Sequence, residues 1–210
     1  MKRILASILM ALSLSACALT VDEVDLGYKS QSQPVAVGGA DGVVVQVTAS
    51  DARASNRDRI GVKKNGYGME MAEIVSKQSV PTLVAQALEQ ELKARGFRVA
   101  KGNVFVLVDV NKFYNDFKLG MFVGRAVAEV MLNVQVVNAG GKLLYSRSYP
   151  GEHTVPDVMM MTGANAKEAV EGALGNVLVR IMDDQYFIQA LIEAARPAPS
   201  AAVNPASPTS

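Results

Sequence analysis

The sequence contains one cysteine, Cys17, so no intramolecular disulfide can form and the fold must be held by burial of a core. It contains one histidine, His153, which is therefore the sole candidate base for a Ser–His or Cys–His pair. With no second histidine or spare thiol beside it, no metal-ligand set can be read. No single sign of charge dominates: 21 Lys and Arg stand against 20 Asp and Glu. No stretch gathers basic residues with interleaved aromatics, which excludes a nucleic-acid partner that needs clustered positive charge. The pairs Gly38–Gly39 and Gly140–Gly141 lack the flanking Lys or the G-x-G-x-x-G spacing of a phosphate-binding loop. What remains is an ordinary globular balance, 50% hydrophobic and 20% charged, in 210 residues. That length gives one domain with tails.

The N-terminus is the most specific segment. Met1–Lys2–Arg3 is positive, and Ile4–Leu14 is apolar but too short to span a bilayer as a stable helix. Leu14–Ser15–Ala16–Cys17 follows: a branched apolar residue, two small residues, then cysteine. This order resembles the lipobox of bacterial lipoproteins. The resemblance implies diacylglyceryl transfer to the Cys17 sulfur and cleavage between Ala16 and Cys17. Residues 1–16 are then a signal peptide, and several acyl chains on one residue anchor the chain stably to a membrane. Ala18, rather than Asp, at the next position implies by analogy the inner leaflet of the outer membrane, with the domain facing the periplasm.

Residues 17–41 show no sustained periodicity and read as a tether, with a short strand near Pro34–Val37. Residues 196–210 are rich in Pro, Ala and Ser and read as a disordered tail. The folded part is placed at 42–195. Val43–Val47 is a β-branched strand, Ser50–Lys64 a long polar excursion, and Ile74–Val75 a possible second short strand. A helix is expected from Thr82 to Arg95, with Ser79 as cap, Pro81 at its start and Gly96 as its left-handed end. Val104–Val110 is apolar at nearly every position and reads as a central strand covered on both faces. Val130, Leu132, Val134 and Val136 alternate with Glu129, Met131, Asn133 and Gln135 as in a half-buried antiparallel strand. Asn138–Gly141 is a hairpin turn, and Lys142–Tyr149 returns. A second helix is expected over Asn165–Met182, with Asn165 and Glu168 as a capping box, then a short helix around Phe187–Ile192. The expected fold is α+β, in the order β-α-β-β-β-α. A single, mainly antiparallel sheet of about four to five strands carries two main helices on one face, with a short C-terminal helix.

Four features outside the N-terminus bear on chemistry. Asp51, Arg53, Arg57 and Arg59 follow the first strand. They read either as a loop that satisfies its own charges or as a partner contact, since Arg is favoured at interfaces. Met121 and Phe122 lie in the apolar stretch Leu119–Gly124. It reads as a loop folded over the core or as a hairpin tip touching a partner or the bilayer. Met159–Met160–Met161 reads as a loop covering a core edge; three consecutive thioethers do not easily face one soft metal ion. Asp183–Asp184 reads as a solvated pair and not as the two carboxylates of a glycosidase.

The lipobox, the helix-to-strand passage Leu88–Phe97 with its Ala94-Arg95-Gly96-Phe97 step, the hairpin ending at Tyr145–Tyr149 and the closing Phe187–Ile188 together resemble the YajG family of bacterial lipoproteins. The resemblance implies a periplasm-facing lipoprotein and names no catalytic residue. The reading is a membrane-anchored, non-enzymatic envelope protein without cofactor, acting as a protein-binding or assembly module for an envelope partner. The alternative is a ligand-binding protein holding a lipid or cell-wall fragment.

Overall fold

The computed structural model describes residues 20–30, 35–120 and 123–196. The lipidation and cleavage positions Ala16 and Cys17, the contact candidates Met121 and Phe122, and the tail beyond Arg196 lie outside them. Among the described residues, eight strands form one mixed sheet: β1 (Asp22–Val24), β2 (Val44–Asp51), β3 (Arg59–Lys64), β4 (Glu70–Ser76), β5 (Arg98–Val99), β6 (Val104–Lys118), β7 (Gly124–Asn138) and β8 (Leu143–Val158). Helix α1 (Val80–Ala94) follows β4, and α2 (Gly163–Asp183) and α3 (Gln185–Ala194) follow β8. The class α+β holds. The expectation of a mainly antiparallel sheet of four to five strands does not, because β2 runs parallel to both β5 and β6, β3 parallel to β6, and β1 parallel to β4.

β6 organises the sheet. One of its edges pairs with β7 along its whole length, Val104 to Asn138 at one end and Lys118 to Arg125 at the other. Its second edge is shared. β2 pairs with the first half, Val45 to Val104 through Asp51 to Val110, and β3 meets the second half at Gly61 and Asn115. The strand kinks where the two meet, with a register shift between Val110 and Lys112 that marks a bulge. The stretch expected to be a polar excursion thus contains β3. Its charged alternation hides it, since Lys63 is buried while its Nζ reaches Asp22 at 2.7 Å and the Thr20 carbonyl at 2.8 Å.

The helices lie on one face. Val104, Val106, Val108 and Val110 of β6 and Val130, Leu132, Val134 and Val136 of β7 point into the core beneath them. The other face of β6 is not covered as expected: Leu107 is partly exposed, with Gln135 and Ser146 in the same cross-strand row. α2 approaches β8 closely at Gly151. A Cβ there would stand 2.7 Å from the Ala173 carbonyl oxygen and 2.4 Å from the Val177 side chain, so only glycine fits without moving the helix.

The chain joins the domain earlier than expected. β1, at residues 22–24, pairs with β4, and Leu26 is buried. The Gly27 amide donates to Glu171 at 2.5 Å, and the Tyr28 hydroxyl donates to buried Glu91 at 2.6 Å. Val37 hydrogen-bonds to the Arg95 carbonyl, and Ala40 is fully buried. Within the stretch expected as a tether, residues 17–41, these contacts come from described residues, and residues 35–37 form no strand.

Candidate functional site

Two ends of the sheet differ in chemistry. The turn end holds the β7–β8 turn at Asn138–Lys142, the end of α1 and the junction of α2 with α3. Asp184 caps α3 there: its Oδ1 accepts from the Tyr186 amide at 2.9 Å and the Phe187 amide at 3.4 Å. Its Oδ2 accepts from the Tyr145 and Tyr149 hydroxyls at 2.8 Å each and from Arg147 Nη1 at 2.6 Å. Tyr145, Arg147 and Tyr149 share one side of β8 because strand side chains alternate. The two tyrosine hydroxyls also lie against each other, so their two protons serve three oxygen contacts, and Arg147 lies over the Tyr149 ring at 5.7 Å. The Asp184 side chain is 6% exposed, which corrects the expectation of a solvated pair; Asp183 beside it is exposed and meets Arg95 at 3.3 Å. Burial alone would raise the Asp184 carboxyl, but hydrogen bonds from Tyr145, Tyr149 and Arg147 outweigh it and bring its pKa down to about 2. Burial, reinforced by Tyr145 and Asp184, pushes the Tyr149 hydroxyl upward. A carboxylate this well supplied with donors is a poor base, and a phenol so raised is a poor acid. The cluster is a lock between helix and strand.

Asp51 and Arg53 sit where β2 leaves β6 and β3 joins it. Arg53 Nη1 donates to the carbonyls of Arg59 and Phe113 at 3.3 Å each, Nη2 and Nε grip Asp51 at 2.7 and 2.9 Å, and Nη2 also reaches the Arg57 carbonyl. The Arg53 guanidinium holds the Asp51 carboxyl below its ordinary value. Arg59 pairs with Glu70 at 2.8 Å and stacks over Tyr114 at 5.8 Å. Asp51 and Arg53 satisfy each other and the backbone at the branch of the sheet, whereas the buried Arg59 Nε has no hydrogen-bond partner among the described residues; Arg57, donating to the Arg53 carbonyl at 3.2 Å, is the exposed member.

His153, paired with Ala128 in the β7–β8 ladder, packs its ring against Gly172, and its side chain makes no hydrogen bond or ion pair among the described residues. The cleft beside it, about 670 Å³ and open to solvent, is lined by Tyr28, Lys167, Glu168 and Glu171. Lys167 and Glu171 pair with each other at 3.4 Å. Lys29 and Ser30 also line the cleft, with the Ser30 side chain bonded to Tyr28. Among the described residues no group of His, Cys, Asp and Glu is placed to hold a metal ion, and no helix is long and apolar enough to cross a membrane.

The loop end is the opposite case. Tyr67 and Met69 lie in the β3–β4 turn, Leu119 and Val123 flank the β6–β7 connection, and Met159 and Met160 follow β8; all are exposed. Only Met161 of the methionine run packs on the core, so the run does not cover a core edge as a unit. Thr162, not Asn165, caps α2, with Asn165 donating to its hydroxyl at 3.4 Å, and the Gly163 amide donates to Asp22 at 2.7 Å.

An α+β domain preceded by a lone cysteine in a lipobox-like context defines a lipoprotein-type module. The chain matches, over residues 30–192, the family described as uncharacterized lipoprotein and belongs to that family, the YajG family. Membership implies a lipid-anchored protein of the bacterial envelope. A solved protein of Xanthomonas campestris shares the fold at 16% identity and TM-score 0.57, over 81% of this chain and 96% of that one. A minor lipoprotein of Acinetobacter baumannii aligns at 10% identity and TM-score 0.42, over 70% and 92%. No curated protein matches the sequence.

Proposed function

We propose that this protein is acylated on Cys17 after cleavage behind Ala16, sits on the inner leaflet of the outer membrane facing the periplasm, and works without catalysis as a protein-binding or assembly module of the envelope. The observation that carries the anchoring is the place of the only cysteine. It stands three residues before Thr20, whose carbonyl the fold already holds through Lys63. The binding reading is supported by the face of β6, β7 and β8 that no helix covers, where Leu107 and Met131 are partly exposed among Asp109, Asn133, Gln135, Ser146 and Ser148. Such a mixed, wettable face suits a protein contact. The filled core between sheet and helices counts against a buried lipid or glycan ligand, which needs a deep apolar cavity.

The test compares wild type with Cys17→Ser in intact envelopes. Intact mass reports acylation, fractionation reports the membrane, and crosslinking followed by pull-down reports the partner. Acylated wild type in the outer-membrane fraction, with one envelope protein enriched over the mutant, is the expected result. Wild type with a free Cys17 thiol overturns the anchoring, and acylated protein that enriches no partner overturns the binding role.

A further inference from the structure

The exposed apolar side chains of the loop end and the entry point of the chain coincide. β1 runs parallel to β4, and β4 starts at the β3–β4 turn, so the chain before Asp22 leaves the domain toward that turn. The Gly68 backbone approaches the Leu119 side chain, since a Cβ built there lies 3.6 Å from it, so the β3–β4 turn and the β6–β7 connection are adjacent. Gly124 pairs with Val158, which brings the start of Met159–Thr162 to the same end. That segment then crosses to β1, where the Gly163 amide meets Asp22. Three connections and the N-terminal entry thus form one surface. It carries Tyr67 at 91%, Met159 at 87% and Met160 at 73% exposure, with Met69, Leu119 and Val123 beside them.

Covalent geometry says what faces this surface. From Cys17 to Thr20 is three residue steps, at most roughly 11 Å of fully extended chain. An acylated Cys17 lies at the boundary of acyl chains and headgroups, so Thr20 stands within that distance of it. The headgroup layer itself is about 5–7 Å deep on each side of the hydrocarbon. A leash this short cannot turn the domain over. The loop end must face the bilayer, and its side chains suit that layer: an exposed tyrosine as at membrane interfaces, flexible methionines, and exposed Arg125 for lipid phosphates, while Lys118 is paired with Asp116.

We infer that the loop end docks onto the bilayer that holds the Cys17 acyl chains, with Tyr67, Met69, Leu119, Met159 and Met160 entering the headgroup layer. This rests on the anchoring proposed above. It goes further in giving the domain a fixed orientation, in which the turn end and the long β6–β8 face stand clear of the membrane.

Acylation consumes the only native thiol, so an introduced cysteine can be labelled alone. The full mature lipoprotein would carry an environment-sensitive NBD label at Tyr67→Cys, Met160→Cys or, at the turn end, Lys142→Cys. Each is reconstituted in phosphatidylethanolamine–phosphatidylglycerol vesicles, and acylation of Cys17 is read by mass on the same samples. The expected result is a blue shift with a several-fold rise in emission at positions 67 and 160, quenched by lipid-borne quencher, and water-like emission at 142. Acylated, vesicle-bound protein with water-like emission at all three positions overturns the docking and leaves the anchoring standing. A shift that grows with protein-to-lipid ratio and escapes the lipid-borne quencher means a second copy covers this end, and also overturns the docking. A free Cys17 in protein that fails to stay with vesicles overturns both.

Discussion

The turn end and the loop end of the same sheet solve opposite problems. At the turn end, polar groups are buried and every one of them around Asp184 is answered: two tyrosines, one arginine and two backbone amides converge on one carboxylate. At the loop end, apolar groups are exposed, and Tyr67, Met159 and Met160 cover little of the protein. α2 joins the two. Its 21 residues span about 31 Å, about the length of the stretch of β8 from Val158 to Tyr149. It is fastened at one end by Asp22 on the Gly163 amide and at the other by the Asp184 junction. The difference teaches that exposure at the loop end is not slack packing. The chain seals one end with buried charge and leaves the other open where residue 20 enters the domain.

Substitutions should separate the ends by stability. Asp184→Ala removes the cap of α3 and the shared acceptor of the Tyr145 and Tyr149 hydroxyls, and should cost about 3 kcal/mol in denaturant unfolding, the largest effect expected. Acid should act at the same place. The Asp184 pKa is about 2 in the folded protein, against 3.8 for an ordinary aspartate. A lowered folded value means that its stabilisation is complete above the unfolded pKa and is lost as pH falls through the folded one. About 2 kcal/mol should therefore disappear between pH ~4 and ~2, and Asp184→Asn should flatten the unfolding profile over that window. Tyr149→Phe, which removes one donor to a charged acceptor, should cost about 1–2 kcal/mol. Its loop-end counterpart Tyr67→Phe should leave the unfolding midpoint unchanged. Met159→Ser with Met160→Ser should stay within about 0.5 kcal/mol of wild type in solution, while weakening the association of the loop end with vesicles. A loop-end pair as costly as Tyr149→Phe would erase the distinction between the ends.

Parts of this could be read from the sequence, for reasons that can be named. α1 was legible because its apolar stripe, Pro81 and Gly96 agree, and Gly96 does adopt φ +96°. The alternation in β7 was legible because one face is covered and the other wet. β6 misled because Phe105 and Leu107 are apolar yet point away from the helices. β1 and β3 were missed because each is short or charged and is stabilised by partners distant in sequence, Asp22 with Lys63 and Ile74. The start of α2 was placed late because the ligand of its first amide is Asp22, 141 residues away. The Asp184 lock had a faint local signal, Tyr145, Arg147 and Tyr149 on one side of a strand, but nothing in the sequence says which carboxylate they meet. The exposure of Tyr67 and Met160 had none, since turn residues and methionines are as often folded back over a core.

Hydrogen exchange on the acylated protein bound to vesicles, set against the Cys17→Ser protein in solution, tests the division of the two ends most directly. Amides in residues 65–69 and 159–162 should exchange more slowly on the membrane, while those of the Asn138–Lys142 turn stay unchanged. Slowing confined to the turn end, or no slowing at the loops of a protein whose acylation is verified, would contradict it.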